Sequence, residues 1–241
     1  METPAKVTVP ALFADMEKQT HVLIAGATGS GKSVAENGLL CTIAKHNTPR
    51  AAGLVLLDPK KVELYQYTQL PHTIGYADEP GEIAHKLRQV VALMDARYKQ
   101  MKKRGLRKWD SGKVYVVIDE LADLMTTNKA ECVPPLRRLA QLGRAAGIGL
   151  IVCTQRPTAD VIPKFITVNI DARLALHTVT AQDSRNIINT SGAELLPRYG
   201  KGLYFTPDTC PAALVDIPYT TQEQTQTVID FWKDWKEPRR R

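Results

Sequence analysis

The sequence predicts an α/β fold in which a mostly parallel central sheet is flanked by helices and the chain ends in a hairpin and a helix. Three observations carry that prediction. Apolar runs of five or six residues recur between longer stretches of helical periodicity, as strands buried on both faces require. One run, His21 to Ala25, leads into Gly26-Ala27-Thr28-Gly29-Ser30-Gly31-Lys32-Ser33, which fits G-x-x-x-x-G-K-[ST] at each fixed position. A third run, Val114 to Ile118, ends in the adjacent acids Asp119 and Glu120.

Residues 1–20 hold Pro4 and Pro10, then Leu12, Phe13 and Met16; too short for a domain and too apolar for a free tail, they are expected to pack on the core. His21-Val22-Leu23-Ile24-Ala25 reads as the first buried strand, and Ser33 to His46 as a helix with Val34, Leu39, Leu40, Ile43 and Ala44 at helical spacing. The glycines between them let the backbone curl until several N–H groups point inward, where the helix dipole also favours an anion. Lys32 then reaches the β- and γ-phosphates of a nucleotide, and the Ser33 hydroxyl can ligate Mg²⁺.

Asn47-Thr48-Pro49 ends the helical pattern, and Gly53-Leu54-Val55-Leu56-Leu57 before Asp58-Pro59-Lys60 reads as a second strand closing in a polar turn. From Glu82 to Lys103, Ile83, Leu87, Val90, Val91, Met94 and Tyr98 recur at steps of three and four, a long amphipathic helix stopped by Gly105. Val114 to Ile118 follows as a third strand. Its terminal acids match the Walker B pattern, in which Asp119 holds the metal's water shell and Glu120 accepts a proton from the attacking water.

Leu136 to Ala146 is expected as a helix carrying Arg137, Arg138 and Arg144, with Gly147 at its end. Ile148 to Cys153 is a fourth strand, and Thr154-Gln155-Arg156-Pro157 stands where a γ-phosphate sensor belongs, Gln155 being a neutral donor for the attacking water or a γ-oxygen. Ala172 to His177 is a fifth strand, on which His177 reads as a satisfied core residue, and Asp183 to Thr190 a short helix. Gly202 to Phe205 and Ala212 to Ile217 form a hairpin, and Thr221 to Trp235 a final helix burying Val228, Ile229, Phe231 and Trp232.

At 241 residues, 44% hydrophobic and 24% charged, the chain is expected to form one soluble domain. No apolar run approaches the ~20 residues of a membrane span, and no signal-peptide pattern opens the chain, so a cytoplasmic location is expected. Cys41, Cys132, Cys153 and Cys210 lack metal-site spacing and read as reduced thiols. The formal charge of +7 suits a polyanionic partner. Lys99, Lys102, Lys103, Arg104, Arg107, Lys108 and Lys113 crowd one segment and Arg239-Arg240-Arg241 ends the chain; both a phosphate-facing surface and a solvated face with a loose tail fit that pattern.

With these residues in view, the chain from about Ala14 to Trp235 resembles the motor domain of the FtsK/SpoIIIE family of DNA translocases. The resemblance rests on blocks in the family's order: residues 21–34, Asp58-Pro59-Lys60 with Glu63-Leu64, Pro71-His72, Arg97-Tyr98, residues 118–125, residues 144–148, Thr154-Gln155-Arg156-Pro157, Asp183-Ser184-Arg185 and Gly192-Ala193-Glu194. It implies a RecA-like P-loop NTPase domain over 21–241, preceded by the packing segment 1–20. It further implies a homo-hexameric ring that hydrolyses ATP with Mg²⁺ between subunits and drives double-stranded DNA through its pore.

On this resemblance Ala27, Thr28, Gly29, Ser30, Gly31, Lys32, Ser33 and Val34 would bind ATP, and Ser33 with Asp119 would hold the metal. Lys32, Glu120 and Gln155 would act in catalysis, with Arg144 as a finger donated to the neighbouring subunit's γ-phosphate. Arg156, with Lys164 nearby, would touch the DNA backbone. Thr167 and Ala181 stand where many relatives carry lysines, and Lys201 where the family has Asp. Thr167 and Ala181 leave open a coupling or secretion ATPase that moves a nucleoprotein or protein, as in conjugative transfer. Chromosome-segregating members add membrane helices before the motor and a winged-helix module after it, so an excised motor or a compact relative is expected. Met1 and the short lead-in favour the compact one.

Overall fold

The structure is a computed structural model that describes residues 11–209 and 211–235. Cys210, Arg239-Arg240-Arg241 and the first half of the segment 1–20 lie outside the described residues. The chain opens with helix α1 (Ala11–Lys18), strand β1 (His21–Ala25), helix α2 (Lys32–His46) and strand β2 (Ala52–Leu57). Strand β3 (Thr73–Ala77), the 25-residue helix α3 (Pro80–Arg104) and strand β4 (Lys113–Ile118) follow. Then come α4 (Leu121–Thr127), α5 (Lys129–Leu142), β5 (Ile148–Thr154), α6 (Lys164–Asn169), β6 (Ala172–Ala175) and α7 (Ala181–Ile188). The hairpin β7 (Lys201–Phe205) and β8 (Ala213–Asp216) and helix α8 (Gln222–Lys233) complete it.

The sheet order is β3-β2-β4-β5-β1-β6-β7-β8; the first six strands are parallel and the hairpin is added antiparallel. Strands β1, β2 and β5 are buried at every position, which is why they read as continuous apolar runs. One face packs against α3, α4 and α5 through Ile83, Leu87, Met94, Leu121, Leu136 and Leu139. The other packs against α1, α2 and α8 through Phe13, Met16, Leu39, Ile43, Val228 and Trp232. The described part of the N-terminal segment is thus part of the core. A Cβ at Gly38 on α2 would stand 2.1 Å from the Phe13 ring, so α1 seats on a position where no side chain fits.

Several elements differ from the sequence prediction. The helix expected over 136–146 runs from Lys129 to Leu142, tolerates Pro134 and Pro135, and stops at Gly143, whose N–H bonds Leu139 O at 2.8 Å. Gly147, with φ +67°, ends the turn that follows rather than the helix. Strand β6 stops at Ala175, leaving His177 on the loop beyond it, where its Nδ1 lies 2.9 Å from Leu196 O. Phe231 is 41% exposed, because the buried stripe of α8 is Thr225, Val228, Ile229 and Trp232. Strand β3 is an edge strand with mixed burial, which leaves no apolar run to read. Lys201 sits opposite Asp216 across the hairpin and pairs with it.

Candidate nucleotide site

All parallel strands deliver their carboxyl ends to one edge of the sheet, and β1, β4 and β5 bring the predicted residues there together. The phosphate-loop backbone takes left-handed turns at Gly29 (φ +73°) and Gly31 (φ +93°), conformations that a side chain would strain. Its first N–H groups are tied to the end of β5 and the loop after β6, Gly26 N to Thr154 O at 3.3 Å and Ala27 N to His177 O at 2.8 Å. Ser30, within the loop, is buried.

Lys32, 3% exposed, binds the Asp119 carboxylate and donates to Asp119 O at 3.0 Å, and Glu36 lies 3.5 Å away. Burial alone would lower the pKa of the ammonium; the Glu36 and Asp119 charges override it and raise it. Glu36 itself is pushed upward by burial, with Lys32 opposing. Asp119 Oδ2 is buried without a hydrogen-bond partner among the described residues, and the Ser33 hydroxyl donates to Glu63 Oε1 at 2.8 Å. A hard cation that keeps several waters and takes one or two protein oxygens fits that pair.

Glu120 caps the amino end of α4 and is 2% exposed. Its Oε1 accepts from Thr154 Oγ1 at 2.7 Å, Gln155 N at 3.1 Å and Ala122 N at 3.3 Å, while Lys60 Nζ donates to Oε2 at 2.9 Å. Gln155 lies half-buried at the end of β5 and its Oε1 accepts from Thr28 Oγ1 at 3.1 Å. Thus the loop, both acids and Gln155 form one hydrogen-bonded cluster.

Two clefts flank the loop. One of about 500 Å³ is lined by Gly29, Gly31, Lys32, Ser33, Val34 and Gln155 and walled by Tyr199, Gly200, Ile217 and Tyr219. The other, of about 470 Å³, is lined by Ala27, Thr28, Gln155, Arg156, His177 and Arg198, among others. Lys60, Glu63, Tyr199, Tyr219 and Arg198 were not assigned to the site from sequence. Tyr199 and Tyr219 are 65% and 73% exposed beside the loop, a placement that no sequence pattern announces.

Arg144 is not brought to this cluster. It lies in the turn before β5, beside Tyr115, Gly147 and Gly149, and pairs with Asp171. That is the amino-terminal edge of the sheet, about one strand length (~16 Å) from the loop. Arg97 fixes the turn, donating to Ala146 O at 2.8 Å, Gly147 O at 3.0 Å and Gly112 O at 2.9 Å. His21 beneath it is lowered to about 4 by burial and then by Arg144, with Asp171 opposing. The basic segment at the end of α3 also opens onto this edge, and there Arg104 pairs with Asp110. Arg156 and Lys164 are exposed on the β5–β6 crossover and have no ion-pair partner among the described residues. The described cysteines Cys41, Cys132 and Cys153 are free and buried. No described helix is long and apolar enough to cross a membrane.

The FtsK/SpoIIIE family model matches residues 4–115 and 111–159. A DNA translocase FtsK of Helicobacter pylori (strain J99) is 37% identical over 239 residues, covering 93% of this chain and 28% of that protein. The FtsK of Halalkalibacterium halodurans is 37% identical over 240 residues, 91% of this chain and 30% of its own length. The chain therefore spans about three tenths of these relatives. Among solved structures, the pCW3 conjugation coupling protein TcpA, in its monomer form with ATPγS, superposes with a TM-score of 0.77. It has 26% identity over 90% of this chain and 66% of that one. The cytoplasmic domain of the Thermomonospora curvata type VII secretion ATPase EccC shares the fold at TM-score 0.77 and 21% identity, over 92% of this chain and 30% of its own. The strand order, the loop and its acids, and the extent of these matches place the chain in the FtsK/SpoIIIE family, on a P-loop ATPase fold.

Proposed function

We propose that this chain is an ATP-hydrolysing motor that moves double-stranded DNA through a homo-oligomeric ring, with six subunits as the expected number. The observation that carries this is the Glu120 cluster: a buried carboxylate anchored to the sensor strand and joined through Gln155 and Thr28 to the phosphate loop. ATP lays its phosphates on residues 26–33, and its base enters the apolar cleft beside Tyr199 and Tyr219. The Lys32 ammonium then exchanges the Asp119 carboxylate for phosphate oxygens. Mg²⁺ would be held by Ser33 Oγ and Asp119 and would neutralise phosphate charge.

Glu120 is the group that takes the proton of the attacking water, and Gln155 holds that water. Lys60, one-third exposed, offsets the charge of the buried acid until the site is filled. Because Arg144 sits on the far edge of its own subunit, the phosphate it can serve is a neighbour's. That supports a site completed only between subunits. Arg156 and Lys164 supply backbone contacts, which repeat identically along any duplex.

Duplex DNA should stimulate phosphate release, stimulation should fall steeply with added salt, and a bound triplex strand should be displaced in an ATP-dependent way. Arg156→Ala with Lys164→Ala should shallow the salt dependence and leave basal hydrolysis intact. No stimulation at any duplex length or salt would overturn the DNA reading. The second reading, a coupling or secretion ATPase moving a nucleoprotein or protein, is favoured by the likeness to TcpA. In that case hydrolysis persists and triplex displacement fails.

A further inference from the structure

Arg198 lies 169 residues beyond Gly29 in the sequence, yet the two meet. If Gly29 carried a Cβ, it would stand 3.2 Å from Arg198 Nη2 and 3.5 Å from Nε. The guanidinium therefore rests against the outer face of the phosphate loop. The left-handed backbone at Gly29 and its missing side chain leave room for it there.

Four other surface arginines are matched to acids, Arg88 with Glu131, Arg104 with Asp110, Arg138 with Asp95 and Arg144 with Asp171, whereas Arg156 on the same cleft is not. Arg198 is exposed and has no carboxylate or hydrogen-bond partner among the described residues. It faces the cleft that also contains Thr28, Gln155, Arg156 and His177. The acid on that wall, Asp183, is occupied by capping α7, taking Thr180 N at 3.2 Å and Thr180 Oγ1 at 2.8 Å. The next residue, Tyr199, lines the other cleft, and Gly200 turns the chain with φ +79°. Consecutive side chains thus fall on opposite sides of the loop, one cationic and one aromatic.

We propose that Arg198 binds the terminal phosphate of the nucleotide within its own subunit, so that each site is served by a cis arginine as well as Lys32. The proposal rests on reading residues 26–33 as the ATP site. The planar fork of a guanidinium pairs two oxygens of one phosphate, which suits a group poised over the loop rather than within it. Gln155 and Thr28 share its cleft, which places it on the γ-phosphate side.

Equilibrium binding of fluorescent ATPγS and ADP to the full chain tests this, with thermal unfolding as the check on folding. Arg198→Ala should weaken ATPγS at least about tenfold and ADP less than about threefold, with Arg198→Lys between the alanine variant and the parent. ATPγS affinity within about twofold of the parent, or an equal loss for ADP, overturns the assignment. Lys32→Ala separates the two readings. If it leaves ATPγS binding intact, the nucleotide site itself is wrong. If it abolishes binding while Arg198→Ala has no effect, only the role of Arg198 falls.

Discussion

Replacing Glu120 by Gln removes one negative charge and leaves the shape of the side chain. The amide oxygen can still accept from Thr154 Oγ1, Gln155 N and Ala122 N, so the contacts at 2.7, 3.1 and 3.3 Å survive. What is lost is the acceptor facing Lys60 Nζ at 2.9 Å, where an amide NH₂ now meets an ammonium. Lys60 is 34% exposed and can turn to water, so the stability cost is about 1 kcal/mol, or roughly 2–4 °C in Tm for a chain of this size. The chemical cost is larger. An amide cannot take a proton from water, and loss of a general base slows a reaction by about 10²–10⁴, or about 3–5 kcal/mol of barrier.

Single-turnover release of γ-phosphate should therefore fall at least a hundredfold, while fluorescent ATP binding stays within about twofold and assembly by sedimentation is unchanged. Hydrolysis equal to the parent would remove Glu120 from its role. A Tm loss beyond about 10 °C would show that the hydrogen-bond accounting at the end of β4 is wrong.

Arg144→Ala should cut turnover about 10³–10⁵-fold and leave Tm nearly unchanged, because its pair with Asp171 is exposed. Mixing it with Lys32→Ala should restore activity, since one interface then joins an intact loop to an intact arginine; no recovery at any ratio would place Arg144 outside the site. His21 gives a pH prediction. Its folded pKa of about 4 lies below the ordinary 6.5, so the unfolded chain binds the extra proton between those values. Stability from this group is full above pH 6.5 and falls by about 3 kcal/mol as pH drops to 4. Urea midpoints from pH 7.5 to 4.5 should fall less steeply in His21→Gln, which can still accept from Leu150 N; parallel slopes would refute the assignment.

What was legible in the sequence follows burial. Strands β1, β2, β4 and β5 announce themselves because their sides are covered, whereas β3, at the sheet edge, carries Thr73, Gly75 and Tyr76 and shows no period. Pro134 masked the start of α5, since two missing backbone donors are tolerated where Leu136, Leu139 and Ala140 pack on the sheet. Within the site, Lys32, Ser33, Asp119 and Glu120 could be read because local backbone geometry restricts what can stand there. Lys60, Glu63, Arg198 and Tyr199 reach it only through tertiary contacts, which one-dimensional spacing does not encode. Lys201 showed the same limit from the other side: its partner Asp216 is visible only once the hairpin register is known.

The Thr154 hydroxyl has a consequence of its own. It donates to Glu120 Oε1 at 2.7 Å and accepts from Arg156 N at 3.1 Å, so one small side chain ties the buried Glu120 carboxylate to the loop bearing Arg156. Force applied to that loop is transmitted to the carboxylate over two bonds, and a shift of the carboxylate returns along the same path. Under the proposed function such a connection would work as a clutch that sets fuel use and grip together, with Gln155 N on Glu120 at 3.1 Å as a second link between them.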